Sequence, residues 1–160
     1  MFEGKHSHIT DKVLEAFYKV YRTLGYGFSE GVYANAMALE LRQAGLAVEA
    51  QKRVMVYYGG CQVGEYRADL VVADLVIVEL KAVRTLLPEH QAQVLNYLKA
   101  TEMEVGLLLN FGPKAEFRRE ILSNERKGAM TWVKQSPGAS EEGRDGGNAV
   151  LDTEDTDEHG

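Results

Sequence analysis

The sequence predicts a mixed α/β domain, and three observations carry that prediction. Two amphipathic helical stretches come first, three β-branched runs follow in close succession, and one more helix leads into a last apolar strand. Strands joined by short turns pair as an antiparallel meander, whereas a strand reached through a helix joins the sheet by a crossover. The class is therefore α/β or α+β, with a central mixed β-sheet flanked by helices in the order helix, three-strand meander, helix, strand. A chain of 160 residues has room for one such core.

Each element has its own grammar. "ITDKVLEAFYKVYRTLG" offers Thr10 or Asp11 as an N-cap and places Val13, Ala16, Phe17, Val20 and Leu24 at helical spacing before Gly25. "YGFSEGVYANAMALELRQAGL" repeats the pattern, with Ser29 as cap, Val32, Met37, Leu39 and Leu41 along it, and Gly45 as terminator. From "AVEAQKRVMVYY" the period becomes strand-like. A Gly59-Gly60 turn leads to "QVGEYRADLVV", and a short connection around Ala73 and Asp74 leads to "LVIVELKAV". Pro88 opens a helix over "PEHQAQVLNYLKAT", followed by the strand "EVGLLLNF" and the more exposed "EFRREIL".

Composition narrows the setting. No run of eighteen apolar residues exists and the N-terminus shows no leader or lipidation pattern, so a soluble protein of the cytoplasm, without membrane contact, is expected. Cys61 is the only cysteine, which excludes a disulfide framework and a cysteine-based zinc site. The net charge is −6, but residues 136–160 hold eight Asp or Glu and one Arg, which leaves the body at net +1. The expected division is a folded domain over 1–135 and an acidic disordered tail over 136–160, too poor in apolar residues to offset its ordering entropy.

The chemistry concentrates in "VIVELKAV". Glu79 and Lys81 stand two apart in an apolar run, so they share one face of a strand that should be buried. An uncompensated buried charge costs several kcal/mol or loses its ionisation. Asp69 lies on the preceding strand, and a hairpin symmetric about Asp74, with the odd loop "ADL" or an equivalent bulge, sets it directly across from Glu79. A two-residue turn would put them on opposite faces. Two converging carboxylates suit magnesium or manganese, and an ammonium beside them can orient a water or stabilise charge on a phosphate. The plain alternative is an ion pair of Lys81 with Asp69 or Glu79. Glu30 shares a helical stripe with Tyr33, Met37 and Leu41, Gln93 and Tyr97 lie one turn apart on the third helix, and His90 reads as a capping or surface residue.

Taken in order, Glu30, Asp69, Glu79-Leu80-Lys81, Gln93 and Tyr97 resemble the PD-(D/E)XK nuclease superfamily. "GFSEGVY", with Gly27, Glu30 and Tyr33 in GxxExxY spacing, together with "YRADLVV", "VIVELKAV", "QVLNYLKAT" and "GLLLNFG", resembles the GxxExxY protein family within it. The resemblance runs from Ile9 to Leu122 and implies a restriction-endonuclease-like core. It implies a hydrolase of nucleic-acid phosphodiesters in which Asp69 and Glu79 bind magnesium (or manganese), Glu30 completes the metal shell and Lys81 is the catalytic lysine. Gln93 and Tyr97 match a QxxxY element that, in related exonuclease domains, helps to hold the nucleic-acid strand or the site. Ala68 stands where the nominal motif has proline. The competing reading is a non-catalytic nucleic-acid-binding or protein-interaction module that keeps the fold. Lys52, Arg53, Arg84, Lys114, Arg118, Arg119, Arg126 and Lys127 are candidates for phosphate contact, Arg118 and Arg119 on opposite strand faces. That supply is modest, which leaves room for a partner protein that supplies the binding; the partly apolar "MTWVKQ" with Trp132 is expected to pack on the core or on a second copy.

Overall fold

The computed structural model describes residues 4–128. Trp132, the boundary at 135 and the acidic tail lie outside the described residues. The elements are α1 (Ser7–Leu24), α2 (Glu30–Gln43), β1 (Val48–Tyr58), β2 (Cys61–Val72), β3 (Val76–Lys81), α3 (Pro88–Lys99), β4 (Val105–Phe111), β5 (Ala115–Ile121) and a short 3-10 turn, Asn124–Lys127. The five strands form one sheet in the order β1-β2-β3-β4-β5. β3 and β4 are parallel and every other neighbouring pair is antiparallel. This is the mixed α/β sheet that the sequence predicts, and α3 is its crossover.

The two sheet faces are filled differently. Leu70, Val72, Val76, Val78, Leu80, Leu107, Leu109 and Phe111 point to the side covered by α1 and α2, where Phe17, Tyr33, Met37 and Leu41 complete the main core. Val71, Ile77 and Ala68 belong to a smaller cluster with Tyr97 and Leu98 of α3. Alternation along β3 thus sends residues 76, 78 and 80 to the larger core and leaves 77, 79 and 81 on the α3 side. Gly106 lets α3 sit close to β4, since a Cβ there would lie 2.7 Å from Val94 Cγ1.

Turns follow the local chemistry. Gly59 and Gly60 both have positive φ (59° and 83°), the conformation that a two-residue hairpin with right-handed strand twist needs. Between β2 and β3 the loop is the odd Ala73-Asp74-Leu75, and its register is Leu70↔Val78, Val71↔Ile77, Val72↔Val76. At the start of α3 the Leu87 backbone N–H donates to His90 Nδ1 at 2.9 Å, so His90 is a capping residue.

Two local expectations need correction. α1 begins at Ser7, a turn before Thr10, because Ile9 extends the buried stripe backwards; Thr10 is itself buried and donates its hydroxyl to the Ser7 carbonyl. Along α2, Val32 (39%) and Leu39 (57%) are exposed, and the buried stripe is Tyr33, Met37, Ala38 and Leu41. One narrow face of that helix meets the sheet, so hydrophobicity alone overstates what it buries.

The end of β4 is tightly tied to the segment after β3. Asn110, buried in an apolar strand, accepts from the Val83 N–H and donates to the Val83 carbonyl, both at 2.9 Å. A Cβ on Gly112 would collide with that same carbonyl. Gly112→Ala is expected to lower stability by about 1–3 kcal/mol through forced backbone displacement, measured by urea unfolding; an unchanged midpoint would show that the two segments move apart freely.

Candidate active site

The odd loop settles the parity on which the site depends. Continuing the β2–β3 register one step brings Asp69 opposite Glu79, on the face that also carries Lys81. There the ladder opens. The Leu80 N–H, instead of continuing backbone pairing, donates to Asp69 Oδ2 at 2.8 Å. Asp69 is thereby fixed by a main-chain donor, while its other oxygen accepts a long 3.4 Å contact from Gln51 Nε2 on β1. α3 closes the site from above. Tyr97, only 2% exposed, donates its hydroxyl to the Arg67 carbonyl at 2.9 Å and accepts from Gln93 Nε2 at 3.4 Å. Tyr66 packs edge-on against the Tyr97 ring at 5.3 Å.

Glu79 is the anomaly in this arrangement. It is 4% exposed, and its Oε1 finds no hydrogen-bond partner among the described residues. Burial pushes its carboxyl up from the ordinary 4.5 to about 9; the Asp69 carboxylate pushes the same way and Lys81 works against both. Tyr97 is also raised, first by burial and then by the charges of Glu79 and Asp69, which locates its hydroxyl in the same field. Lys81 is near enough to influence Glu79, yet among the described residues it forms no ion pair with Glu79 or Asp69. The plain ion-pair account of Glu79 and Lys81 is therefore not realised. The orphaned buried Glu79 oxygen and the Asp69 carboxylate are oxygen donors of the kind that suits a hard divalent cation, with the Lys81 ammonium beside them.

The structure brings together Asp69, Glu79, Lys81, Gln93 and Tyr97. Glu30 stands outside this group. It is the exposed first residue of α2, a helix whose buried stripe packs on the other face of the sheet. Among the described residues no three His, Cys, Asp or Glu side chains are grouped to hold a metal, so the three-acid shell is not assembled. The basic supply is also smaller than the sequence suggests. Lys127 is buried and donates to the carbonyls of Thr101 and Met103 at 2.8 and 2.7 Å, Arg53 pairs with Glu65, Lys52 with Glu49, and Arg119 donates to the Lys5 carbonyl.

Two participants escape a reading of the sequence. Gln51 has a left-handed φ of 53° inside β1, strained for a residue with a side chain, and it is the residue that reaches Asp69. No residue pattern announces such a conformation. Asn110 clamps the segment that follows Lys81, and a lone amide in "GLLLNFG" was the available signal.

The family model of the PD-(D/E)XK nuclease superfamily matches residues 7–120. The chain belongs to this superfamily. That match spans every element of the site, from α1 to β5. Among solved structures, the crystal structure of SSO0001 is similar at 18% identity over 73% of this chain, with a TM-score of 0.42. The chain spans 59% of the length of that protein. A search of curated proteins found no match. Among the described residues no helix is long and apolar enough to cross a membrane.

The electrostatics of this nuclease-superfamily site predict a pH signature in chelator-treated protein. Because the folded pKa of Glu79 lies above its unfolded value, folding is unpenalised below about 4.5 and loses stability as pH rises towards about 9. Wild type should be more stable in urea at pH 5 than at pH 8, with a markedly smaller difference in Glu79→Gln. Magnesium added at pH 8 should stabilise wild type and not the variant. Equal pH profiles would mean that Glu79 ionises without penalty.

Proposed function

We propose that this protein is a metal-dependent nuclease that hydrolyses phosphodiester bonds of DNA or RNA, and that Asp69 and Glu79 hold magnesium or manganese. The observation that carries the reading is the buried Glu79 oxygen without a partner, opposite Asp69 in a chain of this superfamily. When bound, the cation supplies Lewis acidity toward the phosphate and lowers the pKa of a water. The chain's own groups do the rest. Asp69, held by the Leu80 N–H, presents its remaining lone pairs, and Glu79 in its ionised form would be the second carboxylate to hold the cation. Lys81, with no ion-pair partner among the described residues, orients the attacking water and balances charge on the phosphate. Gln93 and Tyr97 brace the Arg67 carbonyl beside Asp69, and the Gln93 amide can also meet the substrate backbone.

The GxxExxY spacing of Gly27, Glu30 and Tyr33 supports membership of the GxxExxY family, with residues 1–135 as the catalytic domain. A second copy or a partner protein would supply phosphate contacts that this surface offers sparingly. Action in the cytoplasm suits a chain whose single cysteine, Cys61, is free.

Cleavage of pooled single- and double-stranded DNA and RNA with magnesium or manganese tests the proposal. Asp69→Asn and Lys81→Ala should each lower the rate at least about a hundredfold. Glu30→Gln, outside the acid pair, should cost less than either. A wild type that binds metal and nucleic acid but cuts none of the pool would make the protein a binding module.

A further inference from the structure

The site lies at the end of the parallel pair β3 and β4, and so does a loop that the proposed chemistry does not use. Tyr33 stacks on Phe111, the last residue of β4, with ring centroids 4.2 Å apart and planes 11° from parallel. Its hydroxyl donates to the Gly25 carbonyl at 2.6 Å and accepts from the Phe28 N–H at 3.2 Å, so both ends of the loop between α1 and α2 are tied to one buried ring. Tyr21 adds a second tie by donating to the Gly112 carbonyl at 2.7 Å. The loop glycines Gly25 and Gly27 have φ of 68° and 120°, which a side chain would resist. From this fixed loop Tyr26 is 61% exposed and Phe28 49% exposed, Phe28 resting its edge against Tyr33. Two aromatics held in water by a rigid loop bury little of what they could bury, and the fold itself does not need their outer faces.

The surroundings indicate the occupant. Arg22 follows Tyr21, Arg84 follows the clamped Val83, and Lys114 lies two residues beyond Gly112; all three are exposed and none forms an ion pair among the described residues. Lys81 pairs in register with Asn110, the residue that holds Val83. Cations therefore punctuate the path from the aromatic loop over the end of β3 and β4 to Lys81, opposed near the loop by Glu30. Flat apolar rings beside separated cations suit a strand whose bases are unstacked, because each base offers a π-face and each phosphate a charge. Duplex DNA keeps its bases stacked inside and offers such rings nothing.

We propose that Tyr26 and Phe28 form a stacking platform for the bases of a single-stranded nucleic acid, whose phosphates pass Arg22, Arg84 and Lys114 on the way to the Asp69–Glu79 pair. The inference rests on the nuclease reading and gives it a substrate class, unpaired DNA or RNA. The path crosses from the α2 face of the sheet, where the loop sits, to the α3 face, where the acids sit, so the strand bends over the strand ends.

The test is equilibrium binding, in chelator, of a short labelled single strand carrying 2-aminopurine and of the matching duplex. Tyr26→Ala is expected to weaken single-strand binding about tenfold, to abolish the stacking quench of 2-aminopurine, and to leave duplex affinity within about twofold. Tyr26→Phe, which keeps the ring, should restore both. Equal single-strand affinity of wild type and Tyr26→Ala overturns the platform, as does a Tyr26→Ala effect confined to the mass of a self-associated species. Cleavage by the same wild-type and Tyr26→Ala samples is read separately with magnesium. Tyr26-dependent binding without cleavage removes the catalytic reading alone, and cleavage indifferent to Tyr26 removes the platform alone.

Discussion

A buried carboxyl is the constraint around which this molecule is arranged. Glu79 lies in a strand where Val76, Ile77, Val78 and Leu80 are among the least exposed residues in the fold, and such apolar neighbours would normally exclude a charge. Its Oε1 has no partner among the described residues; the Asp69 carboxylate disfavours its ionisation, and Lys81 favours it without forming an ion pair among the described residues. Such a group either keeps its proton or shares a cation. The cost of holding it there is met by the apolar packing on the opposite face, where Val78 and Leu80 of the same strand enter the main core.

The opening of the sheet beside Glu79 follows from one hydrogen bond. β2 and β3 pair through only three registered residue pairs, after which the Asp69 side chain takes the Leu80 N–H that a longer ladder would use. The two strands can then diverge without orphaning a backbone donor. α3 covers the divergence with Tyr97, whose hydroxyl satisfies the Arg67 carbonyl freed on the same strand. A polar site in a sheet interior thus arises from substituting side-chain bonds for main-chain ones, residue by residue.

The strand ends on the other side of Lys81 are stiffened by a different device. Tyr33 and Phe111 stack, Tyr21 and Tyr33 bond to backbone carbonyls, and Asn110 holds Val83 from both sides. The helices of the larger core are consequently locked to the end of the sheet at which Lys81 emerges. Rigidity there matters because an ammonium that must meet a phosphate loses efficiency with any added freedom.

The sequence by itself determined the element order, the mixed sheet, the shared face of Glu79 and Lys81, and the fact that Asp69 could meet Glu79 only through an odd loop. These are consequences of period and parity, which are local properties of the chain. Asn110 went unread, although one amide in an apolar run must find partners. Tertiary structure decided the rest. Glu30 sits on a correctly read stripe, yet whether a helix's first turn reaches a site depends on which sheet face the helix covers. Lys127 reads as surface charge until the carbonyls of Thr101 and Met103 are brought around it. Gln51 acquires its left-handed backbone and its reach to Asp69 only when β1 lies beside β2. In each case the deciding term is a contact between residues distant in sequence, and no pattern along the chain encodes which partners the packing will supply.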